Sequence, residues 1–176
     1  MVNPEFLHDC TQCAALCCMA PHIVKSERFP INKPAATPCH NLMAGGLCKI
    51  HAERKDQGYL GCIDFTCLGA GQRVTQQMFG GKSWQDNKDL LEPMARAFLD
   101  LYRVQEARWL LQTAAFMGIP PDKEAERVEM LNTYDIGDED WSREKLDEVL
   151  GQLSPDTVRD WLRGLSGGMG MPPMTP

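Results

Sequence analysis

The chain has 176 residues, of which 43% are hydrophobic and 24% charged, a composition that is typical of globular proteins and excludes extended disorder. Its longest apolar run, residues 14–20, is interrupted by two cysteines and is far shorter than the roughly 18 residues that a membrane span needs. The formal net charge of −6 argues against a nucleic-acid partner. Residues 1–10 contain no hydrophobic segment of the kind found in secretory signals, so we expect a cytoplasmic protein with no membrane partner.

Charge and cysteine content divide the chain near residue 82. Residues 1–82 hold eight Lys/Arg and six Asp/Glu, whereas residues 83–176 hold ten and eighteen, which gives net charges of +2 and −8. All eight cysteines and all four histidines lie in the first 67 residues. We therefore predict a cysteine-rich metal-binding module over 1–82 and a helical domain over 83–165. The tail 166–176 is rich in glycine and proline, and we predict that it is disordered.

Residues 1–82 are predicted to be irregular because prolines and glycines interrupt them repeatedly. Only two short helical pieces are expected, near Thr11–Cys18 and near Ile50–Gln57. Apolar residues are sparse in this part of the chain, and a core this small is marginal without a staple. The cysteines are the obvious candidates for that staple.

Residues 83–165 show the three- and four-residue apolar spacing of helices. We predict a first helix that begins at Trp84 after a Ser83 cap and ends before Gly118. Three further helices are predicted over about 122–132, 142–152 and from Pro155 to near Gly164, the last of them after an N-cap serine and a proline. The predicted fold class is mainly α, with an irregular, metal-stapled cysteine-rich module beside a small helical domain.

The cysteines follow spacings that are typical of metal ligands. Cys10 and Cys13 form a C-x2-C pair, in which a tight turn can direct two sulfurs at one ion, and Cys48-x2-His51 repeats that spacing with a nitrogen. Thiolates favour zinc, copper(I) or iron–sulfur clusters over hard cations. The predicted metal ligands are Cys10, Cys13, Cys17, Cys18, Cys39, Cys48, His51, Cys62 and Cys67. Nine donors exceed one tetrahedral site, so two sites, or one site with spare thiols, both fit.

Three other interpretations of the cysteines remain open. Disulfides need an oxidising compartment, and no export signal is visible. Cysteines can also be inert, buried hydrophobic residues, and Cys18 is the best candidate because the side chains of neighbours such as Cys17 and Cys18 diverge. A redox dithiol at Cys10 and Cys13 would lack the βαβ context of thioredoxins.

The cysteine pattern resembles a known family. The stretches that carry the resemblance are Cys10-Thr-Gln-Cys13-Ala-Ala-Leu-Cys17-Cys18, Pro38-Cys39-His-Asn-Leu42, Gly46-Leu-Cys48-Lys-Ile50-His51 and Gly61-Cys62. They are similar to the CxxCxxCC (YkgJ-like) family, which is described as a zinc- or iron-chelating domain, although one more residue separates Cys13 from Cys17 here. Residues 58–74 also resemble a bacterial cysteine-rich module that is often joined to pentapeptide repeats, which this chain lacks. The resemblance covers about residues 9–84 and implies metal binding in a bacterial protein, but no reaction.

The remaining motifs do not indicate a nucleotide site. Gly69-Ala-Gly71 begins like a dinucleotide loop, but Val74 stands where the third glycine is needed. No acid/base pair occurs at a diagnostic spacing, so the sequence leaves open whether the protein is an enzyme. The sequence favours a zinc-binding protein with a structural site and a protein partner. An iron–sulfur or metal-dependent enzyme or redox protein, and a metal carrier, are the alternatives.

Overall fold

A computed structural model describes residues 4–137 and 141–169. The cysteine-rich part is built from short pieces. Helices α1 (Leu16–Met19), α2 (Leu60–Asp64) and α3 (Ala70–Arg73) alternate with 3-10 turns at Pro4–Phe6, Cys10–Gln12 and His51–Glu53. A π-helical turn, Val74–Met78, extends α3. Isolated antiparallel bridges, such as those between Ile23 and Lys33 and between Leu42 and Cys48, hold the proline-rich loops together, and no strand occurs in the described ranges.

The helical part contains four longer helices. A 3-10 turn, Lys88–Leu90, leads into α4 (Leu91–Ala114), which is followed by α5 (Pro121–Thr133), α6 (Arg143–Gln152) and α7 (Pro155–Met169). The mainly α fold class is therefore confirmed. Whether metal staples the cysteine-rich part, and whether the two parts are separate domains, stay predictions.

Most helix boundaries follow the local signals. Helix α5 has proline at its first position, where the missing N–H costs no hydrogen bond. The Ser142 side chain caps α6 by accepting a hydrogen bond from the Lys145 N–H at 3.2 Å. Pro93 lies in the first turn of α4, where it is tolerated.

The predicted start of the first long helix at Trp84 is wrong. Ser83 accepts backbone hydrogen bonds from Asp86 and Asn87 and so closes a turn, and α4 begins only at Leu91. The reason is tertiary, because the Trp84 indole is buried and donates a hydrogen bond to the Ala14 carbonyl at 2.7 Å. This contact anchors the turn between the two parts of the chain.

The last helix also differs from expectation. Helix α7 continues to Met169, past the predicted end near Gly164, so part of the predicted tail is helical. Residues 170–176 of that tail lie outside the described ranges. None of the helices in the described part of the chain combines the length and the apolar character that crossing a membrane requires.

Helix α4 is the centre of the packing. It contacts α5, α6 and α7 on its helical side and α1 and α3 on its cysteine-rich side. One cluster of buried residues accordingly includes Leu16 and Met19 of α1 together with Phe98 and Leu101 of α4. Helix α1, which carries Cys17 and Cys18, is therefore positioned by the same hydrophobic core as the long helices.

Candidate metal centre

Local turns bring the cysteines of the N-terminal segment together. The Asp9 carboxylate caps the Cys10–Gln12 turn by accepting hydrogen bonds from the Thr11 N–H at 2.9 Å and the Thr11 hydroxyl at 2.6 Å. The Cys13 N–H then donates to the Cys10 carbonyl at 3.4 Å, which closes the C-x2-C turn. Cys17 and Cys18 follow in α1, which begins after Ala15 in the left-handed backbone region at φ 56°.

Cys67 is distant from this segment in the sequence, but its sulfur and that of Cys13 both lie beside the backbone of Gly71. A Cβ atom built on Gly71 would lie 2.7 Å from the Cys13 sulfur and 3.8 Å from the Cys67 sulfur, which bounds the distance between the two sulfurs at about 6.5 Å. In a tetrahedral zinc site with Zn–S bonds of about 2.3 Å, ligand sulfurs lie about 3.8 Å apart. The Cys13 sulfur thus lies so close to Gly71 that a side chain at this position would overlap with it. We call the Gly71 backbone and the two sulfurs beside it the Gly71 cradle.

The thiol pKa values of Cys10 and Cys17 are both raised by negative charge at Cys67. Burial raises the pKa of the Cys10 thiol, and negative charge at Cys67 and then at Cys18 raises it further. The pKa of Cys17 is raised well above its ordinary value by a hydrogen bond with Cys18 first, then by burial and by charge at Cys18, Cys13 and Cys67. We call Cys10, Cys13, Cys17 and Cys67 the first cysteine group.

The other four cysteines form a second cysteine group of Cys18, Cys39, Cys48 and Cys62. The Cys39 N–H donates to the Cys18 carbonyl at 2.9 Å, and the antiparallel bridge from Leu42 to Cys48 brings Cys48 back toward Cys39. The pKa of Cys62 is raised to about 11, by burial first and then by charge at Cys18, Cys39 and Cys48. Cys62 is therefore close to the other three members.

The two groups meet at the Cys17–Cys18 peptide. Cys17 and Cys18 are assigned to different groups, and their two thiols share a hydrogen bond. A hydrogen bond from Cys17 lowers the pKa of Cys18 to about 7 against the effect of burial, with help from the positive charges of Lys33 and Arg54.

Polar groups around the second cysteine group suit thiolates. The Asn41 N–H points at the Cys39 sulfur at 3.5 Å. The Arg54 guanidinium donates to the carbonyls of His51 at 2.8 Å and Cys62 at 3.1 Å, and so lies over the group. Backbone N–H groups and nearby cations both stabilise sulfur in its charged, metal-binding form.

All nine predicted metal ligands, the eight cysteines and His51, lie among the described residues. The eight cysteines are free thiols, of which Cys10 is exposed and the others are partly buried. His51 is exposed in its 3-10 turn, and its backbone N–H donates to the Cys48 carbonyl at 3.2 Å. Within residues 4–137 and 141–169, no three His, Cys, Asp or Glu side chains are already arranged to hold a metal ion. The metal ligands therefore stay predictions.

Sequence reasoning missed two residues that shape this region. Gly71 belongs to a stretch set aside as an incomplete dinucleotide loop, whereas its position is explained by the close approach of two sulfurs. Lys33 lies in a proline-rich loop and looks like an ordinary surface lysine in the sequence, yet it is buried. No local signal distinguishes it, because its burial depends on loops that close only in the folded chain.

Comparison with known proteins adds one relative. The chain is 35% identical over 118 residues to the uncharacterized protein YybG of Bacillus subtilis (strain 168), and the alignment takes in 67% of this chain and 42% of that protein. The chain thus spans less than half the length of the relative that it matches. No family model matches the chain, and no solved structure matches it.

Proposed function

We propose that the protein binds metal, with zinc favoured, through the eight thiols of the first and second cysteine groups. The observation that carries the proposal is the approach of the Cys13 and Cys67 sulfurs to within about 6.5 Å of each other beside Gly71, in a region that holds all eight cysteines. Two sets of four thiols would each close the coordination shell of a tetrahedral ion. The donor set consists of soft thiols, which fit zinc and iron–sulfur clusters and do not fit magnesium or calcium. The Gly71 cradle supports the same proposal from the backbone side.

A structural role is favoured over catalysis. Four protein ligands leave no open position for a substrate, whereas catalytic zinc keeps one. Helix α1, which carries Cys17 and Cys18, and helix α3, which carries Gly71, both pack on α4. Metal bound at the cysteines would therefore stabilise the part of the chain that contacts the long helices. Membership of the CxxCxxCC family and a protein partner for the helical region stay part of this proposal.

An iron–sulfur protein is the second candidate. Two sets of four cysteines are also the ligands of two four-iron clusters, and an N–H directed at the Cys39 sulfur is a contact that tunes such clusters. The two candidates differ in colour. Zinc sites are colourless, whereas iron–sulfur clusters absorb visible light.

The test is metal analysis of the full chain purified without oxygen, combined with an absorption spectrum. Two equivalents of zinc in a colourless protein would support the structural zinc sites. A brown protein with iron and sulfide would favour clusters. A protein that takes up neither metal while all eight thiols react freely would refute the proposal.

A further inference from the structure

Lys33 is a buried lysine held in a cage of backbone oxygens. The residue is only 4% exposed. Its backbone is fixed by paired hydrogen bonds with Ile23 at 2.8 and 2.9 Å. Its ammonium donates to the carbonyls of Met19, Pro21, Pro34 and Thr37. An ammonium has three N–H donors, so this cage fully satisfies it and holds the charge at one place.

The cage supplies hydrogen-bond acceptors for Lys33 but does not neutralise its positive charge. A buried ammonium is costly unless an opposite charge compensates it, and carbonyl oxygens are neutral. Among the residues that the structure describes, no carboxylate forms an ion pair with Lys33. The other ion pairs seen in the described ranges involve Arg143, Arg159 and Arg163. The fold therefore buries a cation without a conventional partner.

The chain places Lys33 beside the second cysteine group. One of its carbonyl partners, Met19, directly follows Cys18 in the sequence. Another, Thr37, lies two residues before Cys39. Those two cysteines are themselves joined by the hydrogen bond from the Cys39 N–H to the Cys18 carbonyl. Burial lowers the pKa of Lys33, and the negative charges that oppose this effect are those of Cys39 and Cys18. Cys18 and Cys39 are thus the acidic groups that Lys33 faces.

We propose that Lys33 is a positioning residue whose caged ammonium supplies a fixed positive counter-charge to a metal ion bound by the second cysteine group. The inference rests on the proposed function. A divalent ion with four thiolates carries a net charge of −2, which is costly at a partly buried site. One caged ammonium, with Arg54 above the group, offsets that charge. The Lys33 ammonium contacts carbonyls that neighbour Cys18 and Cys39 of the second group, so the two sites should depend on Lys33 unequally.

The test removes the charge and keeps the length of the side chain. Full-length Lys33→Met is compared with wild type in zinc competition against a chromophoric chelator without oxygen, and cobalt(II) spectra report the tetrahedral thiolate sites. We expect one of two sites to weaken about ten- to a hundredfold, as loss of a close opposite charge implies, and the other to change little. Lys33→Arg keeps the charge and should remain within about threefold of wild type.

A matched control is Lys49→Met. Lys49 directly follows Cys48 but is exposed, so water and salt screen its charge, and its removal should change neither site more than about twofold. The inference is overturned if Lys33→Met keeps both affinities, or if Lys33→Arg loses as much as Lys33→Met, because the cage geometry rather than charge would then matter. If Lys33→Met does not fold, a more than tenfold loss in Lys33→Arg also overturns it. Wild type that binds neither zinc nor cobalt refutes the proposed function instead.

Discussion

Replacing Gly71 with alanine should damage the first cysteine group and leave the fold intact. The new methyl group would lie 2.7 Å from the Cys13 sulfur, about 1 Å inside normal contact, so that sulfur must move. Gly71 lies in α3 and its φ is not positive, so alanine fits the backbone and is favoured over glycine in a helix by about 1 kcal/mol. Relieving the overlap costs about 1–3 kcal/mol. The two terms oppose each other, so the free energy of unfolding without metal should change by no more than about 2 kcal/mol.

Metal binding should respond much more strongly than stability. The displaced Cys13 sulfur moves away from the Cys67 sulfur, which lies 3.8 Å from the same Cβ position. We expect Gly71→Ala to bind one zinc equivalent fewer than wild type, or to bind it at least about tenfold more weakly, since misplacing one of four ligands opens the coordination shell. Zinc content and chelator competition measure this, and urea denaturation of the metal-free protein measures the fold.

Gly151→Ala is the control for Gly71→Ala. Gly151 is also helical, in α6, and a Cβ atom there would meet nothing within 4 Å. It should gain a little stability from helix propensity and keep the zinc content of wild type. If Gly71→Ala binds the same amount of zinc with the same affinity, the cradle plays no part in metal binding and the first cysteine group is wrongly assigned.

Two further predictions concern stability and thiol reactivity. Arg108→Met should cost about 1.5–3 kcal/mol in urea denaturation, because the side chains of Arg108 and Glu5 are 5% and 10% exposed and the charged hydrogen bond between them would be lost, while Glu5 keeps its hydrogen bond with Gln112. The exposed Arg163→Met should change stability by less than about 0.5 kcal/mol, and equal effects of the two substitutions would contradict the buried pair. In metal-free, reduced protein, iodoacetamide should modify Cys18 before Cys62. The thiolate form of Cys18 appears as the pH rises through about 7, whereas the pKa of Cys62 is about 11. Mass spectrometry of peptides after short exposures between pH 6 and 9 measures the order, and simultaneous modification of both at every pH would refute it.

In the helical part, capping residues and proline predict where several helices begin. The serine cap at Ser142 and the Ser154–Pro155 start each mark a helix whose first residues follow from capping and from the fixed φ of proline. Local signals failed at Ser83, where the sequence has a valid cap but the chain forms a turn. The indole of Trp84 binds the Ala14 carbonyl 70 residues earlier, and that tertiary hydrogen bond overrides the capping preference.

The sequence by itself determined the mainly helical class and the concentration of thiols in the first 67 residues, because composition, periodicity and turn residues act over a few neighbouring positions. It also identified Cys10 and Cys13 as a local pair. Only the tertiary structure decided which distant cysteines join each set, since Cys67 meets Cys13 across Gly71 and Cys39 meets Cys18 through a backbone hydrogen bond. The burial of Lys33 is decided in the same way. Such contacts depend on loop closure and on packing against α4, and no short stretch of sequence encodes either one.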